Sequence, residues 1–285
     1  MAQAEEYAAL GPRSSGLATS DVPVSLRPFV QSMVGYRIEG ASPGIHIGMP
    51  SGTITLVLAL DEPLDLIGAD GRRGSFDTLI AGLHSHPVRI RHDGFQHGIQ
   101  LELTPMGASM LIRGPVGEVA NTSVDLGEFL GPSARRLHER LSETPGWRDR
   151  FALVSDALFA RPEASRQPRA EVLHAWRLLE AGRGRIPIRE VARKVGWSQR
   201  HLGERFREEF GQAPKTTAKV LRFQHSHELV AARMPLADVA AECGYADQSH
   251  LNRDWIDLAG TSPTRWLRED EIAFVQDEAA TGARA

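Results

Sequence analysis

The sequence has 285 residues, 33 Lys and Arg against 36 Asp and Glu, a formal net charge of −3, and 41% hydrophobic residues. This is the balance of an ordinary globular protein long enough for two domains that each bury a core. No run approaches about eighteen uninterrupted apolar residues, which argues against a membrane span. Met1–Pro12 lacks the basic and apolar blocks of a secretory signal, so a cytoplasmic location is expected. The single cysteine, Cys243, excludes an internal disulfide and reads as a packing residue.

Residues 1–20 are rich in Ala, Gly, Ser and Thr and read as a disordered tail. Short β-branched and aliphatic runs then follow: Met33–Glu39, Ile45–Met49, Thr53–Leu60, Thr78–Gly82, Val88–His92 and Gly98–Leu103. Turn signals separate them at Ser42-Pro43-Gly44, Pro50-Ser51-Gly52, Asp70-Gly71 and Asp93-Gly94, a spacing that predicts a small β-sandwich or open barrel. Helices are expected at Pro105–Ile112, Pro132–Leu141 and Trp147–Phe159, with Val124–Leu130 before the second. The expected fold class is α+β. A β-rich sensing or dimerisation domain spans 21–160 and ends in two helices, 161–169 (RPEASRQPR) forms a linker, and an all-α domain spans 170–270 before a tail at 271–285.

The all-α part contains one unit written twice. Val191-Ala192 and Gly196-Trp197 return 48 positions later as Val239-Ala240 and Gly244-Tyr245. Leu202, Phe206, Gly211 and Pro214 return 49 positions later as Leu251, Trp255, Gly260 and Pro263. Each copy reads as a helix, a glycine turn and a second helix, capped by Ser198 in one and Asp247 in the other. In the second helices, Leu202, Phe206 and Phe210, and likewise Leu251, Trp255 and Leu258, form the inward stripe. Arg200, Gly203, Glu204 and Arg207, and likewise Ser249, Asn252, Arg253 and Ile256, fall on the outward one. That is the helix-turn-helix plan, whose second helix lies in the DNA major groove. One copy is a weak signal, whereas two joined by an apolar helix at about Lys215–Ala232 are a strong one. Arg169–Asp270 carries 17 Lys and Arg against 14 Asp and Glu, the rest 16 against 22, so the modest basic excess sits where nucleic acid is expected.

The stretch Asp238–Arg253 (DVAAECGYADQSHLNR) with Gly260-Thr261-Ser262-Pro263, and the earlier Phe206–Lys215 (FREEFGQAPK), resemble the signature of AraC-type transcription regulators over about Arg169–Arg268. The resemblance implies seven helices and double-stranded DNA as partner, with base contacts from Arg200, Gly203 and Glu204 in the first reading helix and Gln248, Ser249, Asn252 and Arg253 in the second. Gln199 and Arg207 complete the expected DNA-binding set. Two positions depart from the family: Glu204 stands where a basic residue is common, and Ile256 where a phosphate-contacting Lys or Arg is usual. A carboxylate facing the groove repels phosphate but can accept from a cytosine amino group. The runs Pro50-Ser51-Gly52, His92–Gly98 (HDGFQHG) and Leu103–Ala108 (LTPMGA) resemble the amino-terminal domain of one subgroup of these regulators, which implies sensing or pairing. A small-molecule effector, a homodimer and, for an activator, RNA polymerase stand as open partners; no cofactor is implied.

His84, His86, His92 and His97 cluster in sequence, with His84 and His86 expected on one strand face. Metal ligation, a small anionic or polar ligand, and plain structural histidines remain open, although Arg89 and Arg91 stand where a metal-binding barrel would carry a carboxylate. No Gly-x-Ser-x-Gly elbow or phosphate loop appears, and Gly68–Gly74 reads as a hairpin loop, so the chain is not expected to be an enzyme. The alternative from another class is an enzyme or metal-dependent sensor with the helical domain as its DNA-targeting module.

Overall fold

Strand side chains alternate between faces, so the unbroken apolar run Thr53–Leu60 calls for cover on both sides. The computed structural model, which describes residues 16–68, 71–159 and 168–269, provides that cover. Strands β1 (Gly16–Thr19), β2 (Val30–Ile38), β9 (Gln96–Leu103), β4 (Ile54–Ala59), β7 (Thr78–Ala81) and β10 (Ser123–Asp125) form, in that order, a six-stranded antiparallel sheet. Strands β3 (Gly44–Gly48), β8 (Val88–His92), β5 (Leu64–Ile67) and β6 (Arg73–Phe76) form a second sheet of four. Tyr36, Ile38, Val57 and Leu79 of the large sheet meet Leu64 and Leu66 of the small one. The opposite face, with Leu56, Leu58, Ile80, Ile99 and Leu101, is covered by helices.

Those helices are α1 (Pro105–Ile112), α2 (Gly127–Leu130), α3 (Pro132–Glu143) and α4 (Trp147–Phe159), with a 3₁₀ turn at Val116–Val119. Thr104 caps α1 by accepting from the Gly107 N–H at 3.1 Å, and Pro105 sits at the first helical turn, where its missing donor costs nothing. Leu137 and Leu141 of α3 and Phe151, Val154 and Leu158 of α4 are buried against the sheet.

Two expectations need correction. Gly16–Thr19 is not tail but an edge strand, in register with Val34–Arg37 of β2; residues 1–15 lie outside the described residues. His84 and His86 share no strand face, because β7 ends at Ala81. The chain there leaves the sheet to bond the loop before β10, through Gly82 N–H to the Thr122 carbonyl (3.1 Å) and Asn121 N–H to the Leu83 carbonyl (3.0 Å). One apolar cluster runs from the large sheet through the helices into Val172, Trp176, Leu202, Phe206 and Phe210, so the two parts on either side of 161–169 share a core. Residues 161–167 of that linker, and the tail at 271–285, lie outside the described residues. The hairpin reading of Gly68–Gly74 holds, with β5 and β6 paired on either side.

Helices α5 (Ala170–Ala181), α6 (Ile188–Lys194), α7 (Gln199–Phe210), α8 (Pro214–Ala231), α9 (Leu236–Glu242), α10 (Gln248–Ala259) and α11 (Pro263–Glu269) make up the carboxy-terminal part. Its second half has its own core, in which Phe223, Leu251, Trp255, Leu258 and Trp266 enclose Cys243. The Trp255 indole donates to Ser226 Oγ at 2.9 Å, and Ser226 in turn donates to the Phe223 carbonyl at 2.7 Å, so α10 is keyed to α8 by a closed buried pair of bonds.

Candidate nucleic-acid interface

The duplication survives in three dimensions down to single hydrogen bonds. Helices α6 and α9 are offset by 48 positions, α7 and α10 by 49, and in each pair both ends match. Ser198 Oγ accepts from the His201 N–H (3.2 Å), and Asp247 Oδ1 from the His250 N–H (2.7 Å), the same capping bond in both copies. The turn glycines Gly196 and Gly244 have φ +77° and +72°, and the helix-ending Gly211 and Gly260 have +69° and +68°. This left-handed conformation costs an L side chain its Cβ clearance, which is why the same four positions hold glycine.

With both helices set alike, the outward stripes coincide position for position. Gln199 corresponds to Gln248, Arg200 to Ser249, Gly203 to Asn252, Glu204 to Arg253 and Arg207 to Ile256. Gln199, Arg200, Glu204, Arg207, Gln248, Ser249 and Arg253 are exposed; Gly203 and Asn252 are partly exposed, the Asn252 Oδ1 atom being buried with no hydrogen-bond partner. Phe206 and Trp255, on the inward stripes, are fully buried.

The two stripes differ in charge. Arg200, 90% exposed, bonds through Nε to Glu204 Oε1 at 3.0 Å, so two of the three charges of the first stripe are paired with each other along one turn. On α10 the carboxylate is replaced by Arg253, which is exposed and donates from Nε to the Ser249 carbonyl (3.3 Å). Ile256, 55% exposed, presents an apolar edge where Arg207 stands on α7. Behind α10, the buried Asp254 is held by Arg222 (3.2 Å) and Lys219 (3.3 Å) of α8. Burial works against the Lys219 ammonium, but its bonds to Asp257 and Asp254 outweigh that and raise its pKa.

The histidines that cluster in sequence go to separate places. His97 is buried between Asp61, 2.8 Å from its Nδ1, and Arg150, 3.1 Å from its Nε2, with Trp147 edge-on at 5.4 Å. Burial lowers its pKa and the Arg150 cation adds to that, although Asp61 opposes both. It therefore ties α4 to the sheet. His86 is exposed beside Ser85. His84 is held neutral, its pKa pushed down to about 4 by burial and by His86. Among the described residues no three His, Cys, Asp or Glu side chains converge as a metal-binding group.

His84 lines a cavity of about 170 Å³ between the two sheets, together with Tyr36, Gln100 and Glu102. Its far wall comes from α8, through Phe223, Gln224, His227 and Glu228. No sequence signal marked these residues, because the cavity exists only once α8 packs over the open end of the sandwich. The Gly52 N–H donates to Gln224 Oε1 at 2.9 Å across that junction. A larger cleft of about 730 Å³ lies alongside, but its polar groups already engage one another, Gln31 with Glu180 (3.0 Å) and His225 with both Arg183 (2.7 Å) and Glu228 (3.3 Å).

Comparison with known proteins agrees with this geometry. A family model described as a helix-turn-helix domain matches residues 191–269. No curated protein matches the chain. Among solved structures, ToxT from Vibrio cholerae with bound unsaturated fatty acid is 10% identical, with 82% of this chain and 94% of that one covered at a TM-score of 0.53. The C-terminal domain of the response regulator AraT from Geobacillus stearothermophilus is 19% identical over 36% of this chain and 88% of that one, TM-score 0.34. The DNA-binding domain of AdpA, solved with a target DNA, is 26% identical over 35% of this chain and 90% of that one, TM-score 0.31. The ToxT likeness extends over the β-rich part as well as the helices, and shows the same two-part fold. Residues 191–269 are therefore a helix-turn-helix domain of the AraC type, which supports reading the chain as a DNA-binding transcription regulator.

Proposed function

We propose that α7 and α10 enter successive major-groove segments of one duplex, and that the amino-terminal domain modulates how they do so. The observation that carries this reading is the matched pair of outward stripes on identically capped helices. Helix α8, 18 residues long, spans about 27 Å at the usual rise per residue, a connector on the scale of the groove repeat of about 34 Å. Gln199, Arg200, Gly203, Glu204 and Arg207 then face the first segment and Gln248, Ser249, Asn252 and Arg253 the second. Arg253 offers a fork suited to a guanine edge. Arg200, already engaged by Glu204, adds little non-specific attraction, so the first helix selects more than it anchors. With so modest a basic surface, affinity rests on pairing of copies or of sites, and a homodimer is the simplest arrangement.

A small molecule held between the sheets and α8 would reach the DNA-binding part directly, as the wall it touches is the helix joining the two reading units. The ToxT structure with its fatty acid shows a ligand on the same fold. The test of the DNA reading is Arg253→Ala, measured on the site recovered from random duplexes with the full chain. A loss of about 1–3 kcal/mol with relaxed preference at one base pair is expected. Unchanged affinity would remove α10 from the groove.

A further inference from the structure

Among the described residues, three large apolar side chains are well exposed: Val24, Ile45 and Ile256. A single exposed aliphatic group on a protein surface is ordinary. Ile256 differs from the other two by its place. It stands on the outward stripe of α10 with Ser249, Asn252 and Arg253, as the last member of a set spaced i, i+3, i+4, i+7. Side chains at that spacing on one helix can all reach base edges in a major groove.

The surroundings of Ile256 leave it nothing else to cover. Leu251, Trp255, Leu258 and Ala259 of the same helix are buried in the core of the second half, and Ile256 belongs to none of the apolar clusters. Arg253, one turn earlier, bonds back to the Ser249 carbonyl at 3.3 Å, toward the amino end of the helix. Asp257, the next residue, is held by Lys219 at 2.9 Å. Ile256 is left 55% exposed between them.

The corresponding residue of α7 is Arg207, so one copy carries a cation and the other a branched alkyl group at the same point of the same stripe. A guanidinium there can bond phosphate; an uncharged side chain without a donor cannot. What an alkyl group can meet in a major groove is the one apolar group displayed there, the C5 methyl of thymine. That methyl lies at the edge of the groove beside its own strand's backbone, close to the phosphates a cation at this position would serve.

We propose that Ile256 is a specificity-determining residue of α10, selecting thymine at one position of the bound site by covering that base's C5 methyl group. The assignment rests on the reading that α10 enters the major groove, and deepens it by naming a base that α10 selects. The contact is apolar, so it distinguishes thymine from the same base without its methyl group.

The experiment compares the site recovered from random duplexes with copies in which each thymine in turn is replaced by deoxyuridine, which removes the methyl and keeps every hydrogen-bonding group. Binding of the full chain is measured for the wild type, Ile256→Ala and Arg253→Ala. Ile256 lies outside the core, so its truncation leaves the fold in place. One replacement is expected to weaken the wild type about fourfold, the worth of one methyl-sized apolar group withdrawn from water. Ile256→Ala should weaken binding to the thymine site by a similar factor and be indifferent to that deoxyuridine, so that the two changes are not additive. Arg253→Ala should bind more weakly and keep the deoxyuridine effect. No deoxyuridine effect at any position, or one that survives Ile256→Ala, would overturn the assignment. So would Ile256→Ala weakening thymine and deoxyuridine duplexes alike, which would place a backbone or protein contact there instead. The two readings fail differently. If Arg253→Ala weakens binding and Ile256→Ala does not, α10 stands in the groove and the methyl contact falls; if neither substitution nor any deoxyuridine changes affinity, α10 itself is out of the groove.

Discussion

The two copies of the helix-turn-helix unit supply their own control for how the first is docked. Gly211 and Gly260 end α7 and α10 with the same φ, +69° and +68°, so alanine at either incurs the same left-handed backbone cost, about 1–2 kcal/mol. Their surroundings differ. A Cβ on Gly260 would find its nearest atom, Pro87 Cγ, at 3.7 Å, an ordinary contact. A Cβ on Gly211 would lie 2.3 Å from Ala120 Cβ and 3.0 Å from both Cα and O of Gly117, in the segment around the 3₁₀ turn. Backbone atoms cannot swing aside, so that clash adds an overpacking cost of about 1–3 kcal/mol. Gly260→Ala should therefore destabilise by about 1–2 kcal/mol, and Gly211→Ala by that plus the overpacking term. Urea unfolding of the full chain, with midpoint and slope fitted together, reads the difference. Ala120→Gly introduced into Gly211→Ala removes the closest contact and should recover part of the excess, a coupling that independent sites would not show. Equal midpoints for the two single variants would mean that the end of α7 does not rest on residues 117–120.

Glu204→Gln frees Arg200 from its 3.0 Å partner and removes a carboxylate from the outward stripe; binding to non-specific duplex should tighten and the salt dependence steepen by about one phosphate contact, as a titration at several salt concentrations would show. Ser226→Ala leaves the fully buried Trp255 indole N–H without its acceptor and should lower stability by about 1–3 kcal/mol, with no change expected for a Ser at an exposed position such as Ser249. His84 has a folded pKa near 4 against an ordinary 6.5. The unfolded chain therefore takes up its proton first as pH falls, and stability present above 6.5 is progressively lost toward 4, by up to about 3 kcal/mol. His84→Gln should flatten that limb of the stability curve; a limb of unchanged steepness would show that His84 titrates normally.

What the sequence disclosed follows the range over which each signal acts. Caps, turn glycines and the 3.6-residue stripes are local, and they placed α6, α7, α9 and α10 within a residue or two and put Phe206 and Trp255 inside. The strands Met33–Glu39 and Thr53–Leu60 declared themselves by composition. Strand β1 did not, because GLAT has the small-residue makeup of a tail and becomes a strand only through the free edge of β2. The three residues of β10 were equally invisible, being defined by their pairing with Leu79–Ala81. The histidine face failed for a related reason: a period of two says where side chains point only while the strand continues, and Gly82 leaves the sheet for Thr122. The cavity is the longest-range feature of all, since its walls come from strands and from α8, far apart in the chain, and it takes shape only through the docking of α8.

The asymmetry between the copies bears more on regulation than their likeness does. The core of α5, α6 and α7 is continuous with that of the β-rich part, and Gln212, just past α7, donates from Nε2 to the Leu83 carbonyl at 2.7 Å in a buried bond. Helix α7 is thus fastened to the amino-terminal domain. Helix α10 belongs to a separate core, against which Met49 of that domain packs and near which Pro87 lies. Its firm ties run to α8, through Trp255 to Ser226 and through Asp254 to Arg222 and Lys219. A shift of α8 therefore carries α10 with it, while α7 stays anchored, and changes the angle between the two reading helices without loosening either. The same helix closes the cavity between the sheets, so under the proposed modulation a ligand there would act on the element that joins α7 and α10. Such coupling needs no unfolding and no long relay of residues, only two positions of α8 with different affinity for what fills the cavity.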